Sequence, residues 1–184
     1  MYRAIMIGGS AGSFQVVVKI LNSLPSGYPL PLFLSLHRLK HVRSGFVEAL
    51  SIKSGIPVVE PFDKETIRPG RAYLAPANYH MYIELGNKIA LSTEETVNHS
   101  RPSIDLSFHT AAVAYREKLV GIILSGANRD GAAGLKKVKE MGVLCIVQDP
   151  QECEVRTMTE ASLQVTPVDH IMKTEQIIEF LKKL

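Results

Sequence analysis

The sequence has only two cysteines among its 184 residues, and they sit in unlike surroundings. Cys145 lies inside the apolar run 143–147 and Cys153 in the polar stretch after it, so no disulfide framework is implied and a reduced, cytoplasmic protein is expected. Long apolar runs are also missing. The N-terminal run 4–7 stops at Gly8-Gly9, and nothing approaches the ~20 apolar residues of a membrane span, which argues against membrane insertion and a secretory signal. Acidic residues are absent from the first quarter: Glu48 is the first, while Arg3, Lys19, Arg38, Lys40 and Arg43 precede it. That end is locally basic, yet 21 basic against 18 acidic residues give a net charge of only +3, without the dense basic stripe of a nucleic-acid binder. Internal repeats, low-complexity tracts and linkers are lacking too. With 46% hydrophobic residues, a single domain over 1–184 is the expectation.

What is present alternates. Short apolar runs at 4–7, 31–36, 72–75, 119–124 and 143–147 read as buried strands. Between them, Val16, Val17, Ile20, Leu21 and Leu24 recur at helical spacing before Pro25, and Ser44 is placed to cap a helix carrying Phe46, Ala49 and Leu50. A third helix is expected from Ser103, a fourth from Gly131 to Gly142, and a last one capped by Thr174. The stretches 82–85 and 88–91 flank Gly86-Asn87 as a β-hairpin would. The expected fold is α/β: a doubly wound, mostly parallel sheet with helices on both faces and a hairpin insertion.

Gly8-Gly9-Ser10-Ala11-Gly12 follows a strand, precedes a helix and fits the G-x-S-x-G nucleophile turn, with Ala11 and Gly12 offering N–H groups to an oxyanion. A plain turn with Ser10 as helix cap is the bland alternative. A dinucleotide fingerprint needs glycine where Ser10 and Ser13 stand and an acid ending the second strand, and a P-loop needs a lysine that Gly12-Ser13-Phe14 lacks. His37 ends the second strand. His41, four residues on, does not make a zinc helix with it, because Arg38 occupies the place of the needed glutamate; no metal and no cofactor are expected. His80, His99, His109 and His170 read as surface or capping histidines. Asp130 follows the fourth long strand and, taken alone, reads as a cap of the helix after it; Asp105 is the rival acid.

Ligands of open α/β sheets bind at the carboxyl ends of the strands, and Ser10, His37 and Asp130 each stand at one. A serine to attack, a histidine to carry the proton and an aspartate to orient the ring make a hydrolytic triad. The chain order Ser, His, Asp differs from the Ser, Asp, His of α/β-hydrolases.

These residues resemble the CheB-type chemotaxis methylesterases. The similarity runs through Gly9-Ser10-Ala11-Gly12, His37, Ala72-Tyr73-Leu74-Ala75-Pro76, His80-Met81, Arg101-Pro102-Ser103-Ile104-Asp105, Gly126 through Gly134, Gln148-Asp149-Pro150 and Cys153. The chain departs from that pattern at Ser13, Arg38-Leu39 and Ala127, around the rim of the site. The resemblance implies hydrolysis of glutamate γ-methyl esters, with related glutamine deamidation, on the cytoplasmic helices of methylated chemoreceptors. A receiver domain, usual in the family, is not recognisable in the chain, which leaves room for a separate regulatory protein as a partner. Arg38, Lys40 and Arg43 are then read as a substrate-binding basic rim for acidic helices. A hydrolase of other esters or amides and a catalytically silent binding domain are the alternatives.

Overall fold

A computed structural model describes residues 1–38 and 45–184. Its centre is a seven-stranded sheet in which every pairing is parallel. The strands, in chain order, are β1 (Ala4–Gly9), β2 (Leu32–Leu36), β3 (Val58–Val59), β5 (Ala72–Leu74), β8 (Leu119–Ile123), β9 (Leu144–Gln148) and β10 (His170–Met172), arranged β10-β9-β8-β1-β2-β5-β3. A smaller antiparallel sheet, β4 (Glu65–Thr66), β7 (Lys88–Ser92) and β6 (His80–Glu84), interrupts the winding. The helices are α1 (Phe14–Ser23), α2 (Phe46–Ser51), α3 (Ile104–Tyr115), α4 (Ala132–Glu140), α5 (Thr157–Val165) and α6 (Thr174–Lys182). None of the described helices is long and apolar enough to cross a membrane.

Strands buried on both faces must be apolar at successive positions, and their side chains still alternate between the two sides. Ile5, Ile7, Leu32, Leu34, Val120 and Ile122 face one core with Val17, Ile20 and Leu21 of α1, Leu50 of α2, and Ile177 and Leu181 of α6. Ala4, Met6, Phe33, Leu119 and Ile123 face the other, with Ile104 and Phe108 of α3, Leu135 and Val138 of α4, Met158 of α5, and Met81 and Ile89 of the small sheet. The expected doubly wound sheet with a hairpin is therefore what forms.

Two local expectations change, and a third cannot be placed. The hairpin connection has three residues, since Glu84 pairs with Lys88 and Asn87 takes a left-handed φ of 58°. Thr174 is the first residue of α6 and not its cap. Its N–H and hydroxyl both donate to Glu152 (2.6 and 2.8 Å), while Gln176 accepts the N–H of Lys173 at 2.9 Å. Gly45, at φ 85°, begins α2, and the expected cap Ser44 lies outside the described residues.

Candidate active site

The order β8-β1-β2 puts the carboxyl ends of three neighbouring strands side by side, at the point where successive connections turn to opposite edges of the sheet. Ser10 follows β1, His37 follows β2, and the turn after β8 carries Asp130. Gly9 pairs with Leu36, and the His37 N–H donates to the Gly9 carbonyl at 3.0 Å, so Ser10 and His37 are the next residues of two strands in register. By the same alternation that sends Met6 and Phe33 toward α3, both side chains emerge on the α3 side.

Here His37 Nε2 donates to Asp130 Oδ2 at 2.8 Å. The ring is 13% exposed and the carboxylate 0%. A buried carboxylate needs compensation, and the N-terminus of α3 supplies it. The Ile104 N–H donates to Oδ2 at 2.6 Å, and the Asp105 N–H and the Ser103 hydroxyl donate to Oδ1 at 3.2 Å each. Burial on its own pushes the Asp130 carboxyl up. The His37 hydrogen bond, the Ile104 N–H, the charge of His37 and the Asp105 N–H outweigh that and hold it below the ordinary carboxylate value. Asp130 thus caps a helix, but α3 and not the α4 that follows it.

Asp105, the rival acid, completes a reciprocal clasp. Its Oδ1 accepts the Gly131 N–H at 2.8 Å and the Gly134 N–H at 2.6 Å at the start of α4. Each helix N-terminus therefore holds the carboxylate belonging to the other. The approach requires glycine at 134, where a Cβ would lie 2.8 Å from the Asp105 Cα. Burial raises the Asp105 carboxyl, against the Gly134 N–H, and the neighbouring charge of Asp130 adds to the rise. His80, read as a surface or capping histidine, is fully buried: Nε2 donates to the Glu95 carbonyl at 2.9 Å and Nδ1 accepts the Ser103 N–H at 3.1 Å, tying the small sheet to the start of α3. His109 and His170 are exposed, as expected.

The turn that carries Ser10 is shaped by Gly12 at φ 80°, where a Cβ would lie 2.6 Å from Ser125 Oγ. Ser125 braces the turn by donating to the Ala11 carbonyl at 2.8 Å, and the Ser13 hydroxyl donates to the Ser10 carbonyl at 2.7 Å. Among the described residues no backbone carbonyl takes the Ala11 or Gly12 N–H, so both remain available at the start of α1. A cleft of about 400 Å³ opens over Ser10, Ala11 and His37, walled by His99, Arg101 and Asn128. An adjoining lobe of about 260 Å³ is lined by Gly12, Leu36 and the edge-on pair Phe14 and Phe46, whose ring centres are 5.0 Å apart. His99, read from sequence as a surface histidine, is exposed but belongs to the cleft wall.

Arg38 is not the exposed rim cation that its sequence neighbourhood suggests. Its side chain is 2% exposed, paired with Glu60, donating to the Ala75 carbonyl at 3.0 Å, and stacked 5.2 Å from the centre of the Phe46 ring. Buried as it is, Arg38 still lines both lobes of the cleft beside Ser10, Ala11 and His37. Lys40, His41 and Arg43 lie outside the described residues. Among the described residues no three His, Cys, Asp or Glu side chains converge as metal ligands would.

The other ring nitrogen of His37 meets Asn128, whose Nδ2 donates to Nδ1 at 3.3 Å, and the Ser10 hydroxyl forms no hydrogen bond to the ring. Asn128 and Ser103 are residues that sequence reasoning did not bring to the site, and Asp105 entered it only as a rival to Asp130. Ser103 and Asp105 sit in the Arg101 to Asp105 string, and an oxygen-bearing pair at a helix start was the available signal.

A profile described as CheB methylesterase matches residues 5–181. A Leptospira interrogans protein named for protein-glutamate methylesterase and protein-glutamine glutaminase activity is 41% identical over 183 residues, covering 100% of this chain and 95% of that protein. The Syntrophus aciditrophicus protein-glutamate methylesterase/protein-glutamine glutaminase 1 is 32% identical, and there the match covers 100% of this chain but 52% of the relative. The crystal structure of the Thermotoga maritima CheB methylesterase catalytic domain superposes with a TM-score of 0.93 at 27% identity, covering 100% of this chain and 98% of that one. The chain belongs to the CheB methylesterase family.

Proposed function

We propose that Ser10, His37 and Asp130 are a catalytic triad that hydrolyses γ-methyl esters of glutamate side chains, with deamidation of glutamine as the related reaction, on the cytoplasmic helices of methylated chemoreceptors. The observation that carries this is the 2.8 Å bond between His37 Nε2 and the buried Asp130, with Ser10 next in register on the adjoining strand.

The chemistry follows from which nitrogen is taken. Nε2 keeps its proton and donates it as a hydrogen bond to Asp130, so Nδ1 is the basic atom. Ser10 Oγ attacks the ester carbonyl as its proton passes to Nδ1, and the resulting imidazolium is stabilised by Asp130. The Ala11 and Gly12 N–H groups receive the oxyanion. Methanol departs with the proton from Nδ1, leaving an acyl-Ser10. Water then repeats the sequence, attacking the acyl carbon while Nδ1 takes its proton, and returns a free glutamate and Ser10. An amide substrate differs only in releasing ammonia. Every step balances with water alone, so no cofactor is called for.

The test is methanol release from a methylated receptor by the purified protein and by Ser10→Ala. A turn serine packs little, so the variant should fold normally and lose on the order of 10⁴-fold or more in rate. Substantial methanol release by the variant would remove Ser10 from the mechanism.

A further inference from the structure

The proposed base is occupied before any substrate arrives. Asn128 has its side-chain amide fixed in one sense, because its Oδ1 accepts the Asp130 N–H at 3.1 Å. An amide whose oxygen is held this way must turn its nitrogen outward. That nitrogen donates to His37 Nδ1 at 3.3 Å and to the Ser100 hydroxyl at 3.4 Å.

Imidazole has one basic lone pair when neutral, and Asp130 already fixes it on Nδ1 by accepting a hydrogen bond from the Nε2–H. Asn128 therefore donates to the one atom that must accept the Ser10 proton. An N–H and an O–H cannot both aim at a single in-plane lone pair with good geometry, and at 3.3 Å the amide bond is slightly longer than an ordinary one.

Resting on the reading of Ser10 as nucleophile and His37 as base, we propose that Asn128 is a positioning residue that keeps the His37 base from Ser10 while the cleft is empty. The weak amide bond preserves the neutral tautomer with Nδ1 unprotonated. It yields when a substrate entering the cleft that Asn128 lines offers its own carbonyl to the amide N–H. The serine hydroxyl then takes over Nδ1.

The consequence is a rate that rises when a residue touching the proposed base is removed, which loss of a merely structural contact would not produce. Asn128→Ser keeps an oxygen able to accept the Asp130 N–H but is too short to reach the ring. Asn128→Ala removes both contacts and serves if the serine variant does not fold. The readout is the second-order rate at which a small fluorophosphonate labels Ser10, with melting temperature followed alongside. A single hydrogen bond of this kind corresponds to roughly three- to tenfold faster labelling in whichever variant folds. Unchanged or slower labelling in a folded variant overturns the proposal. A separate arm keeps the underlying reading distinct: labelling of the parent protein must vanish in Ser10→Ala and collapse in His37→Ala. Persistence of labelling in His37→Ala would sink the triad itself, whatever the Asn128 variants do.

Discussion

Replacing Asp130 by asparagine removes one charge and almost no volume, and its two effects can be read separately. Asp130 accepts from His37 Nε2 and the Ile104 N–H on Oδ2, and from Ser103, the Asp105 N–H and Asn98 Nδ2 (3.4 Å) on Oδ1. A carboxylate can serve all five donors because both of its atoms are acceptors. An asparagine must present its own N–H₂ to one side or the other, and keeping the His37 bond turns that group against the Asp105 N–H. Asparagine would be harmless if Asp130 merely capped its own helix. The α3 clasp instead predicts a loss of about 1–3 kcal/mol of stability from the donor left unmet.

The catalytic effect is larger. At the observed 2.8 Å, and with an effective dielectric constant near 20, a carboxylate stabilises an adjacent imidazolium by about 6 kcal/mol. At about 1.4 kcal/mol per decade that is roughly four orders of magnitude in turnover. Methanol release measures the turnover, and urea melts with Ser10 phosphonylation show how much protein is folded. Turnover within tenfold of the parent in a folded variant would refute the assignment of Asp130 as the stabilising charge. The pH dependence gives an independent sign. A carboxyl held below its ordinary value contributes stability that is fully present above the unfolded pKa of about 3.9 and is lost as pH falls through the lower folded value. The stability gap between parent and Asp130→Asn should therefore close on acidification through that window and stay constant above it.

Two further outcomes follow from the site's supports. Gly12→Ala should cost more than about 1 kcal/mol by denaturant unfolding and slow Ser10 labelling, since φ is 80° and the new methyl would lie 2.6 Å from Ser125 Oγ and 2.7 Å from the Glu154 Cβ. Arg38→Ala should lower the melting temperature, by an amount equivalent to about 1–3 kcal/mol, without altering the salt dependence of turnover on receptor; an Arg38→Ala protein of parental stability whose receptor turnover had lost its salt dependence would restore the exposed-rim role.

How far the fold could be read depends on the length of each element. β8 occupies five consecutive buried positions, Leu119–Ile123, and such a run between turn signals is legible because a parallel strand covered on both faces cannot be anything but apolar. The edge strands are two or three residues long, Val58–Val59 and His170–Met172, too short to display a period of two, and Ile171 on the outer edge is 53% exposed. Helix α5 was invisible for a different reason. It buries Met158, Thr159, Ala161 and Ser162, so its inward face is mostly small or hydroxylated, and its start at Arg156 carries no side-chain cap. Neither the apolar stripe nor the boundary signal exists there.

At the site, the legible part was whatever a strand's end fixes locally. Ser10 and His37 stand one residue beyond buried strands, and pairing those strands in parallel suffices to bring them together. Arg38, just beyond the end of β2, is buried by its pairing with Glu60 and its contact with Phe46, partners its sequence neighbourhood does not show, and it still lines the cleft. Asp130 lay beyond local reasoning. Its local context, a turn followed at once by a helix, is that of an ordinary cap, and what decides its role is an α3 N-terminus 26 residues earlier in the chain arriving over the end of β8. That arrival depends on the reverse contact, in which Asp105 holds the first N–H groups of α4. Neither carboxylate can be placed without the other. The two acids that sequence reasoning weighed as rivals are one device, and a substitution at Asp105 should therefore act on catalysis by moving Asp130 and not by removing a charge that touches the ring.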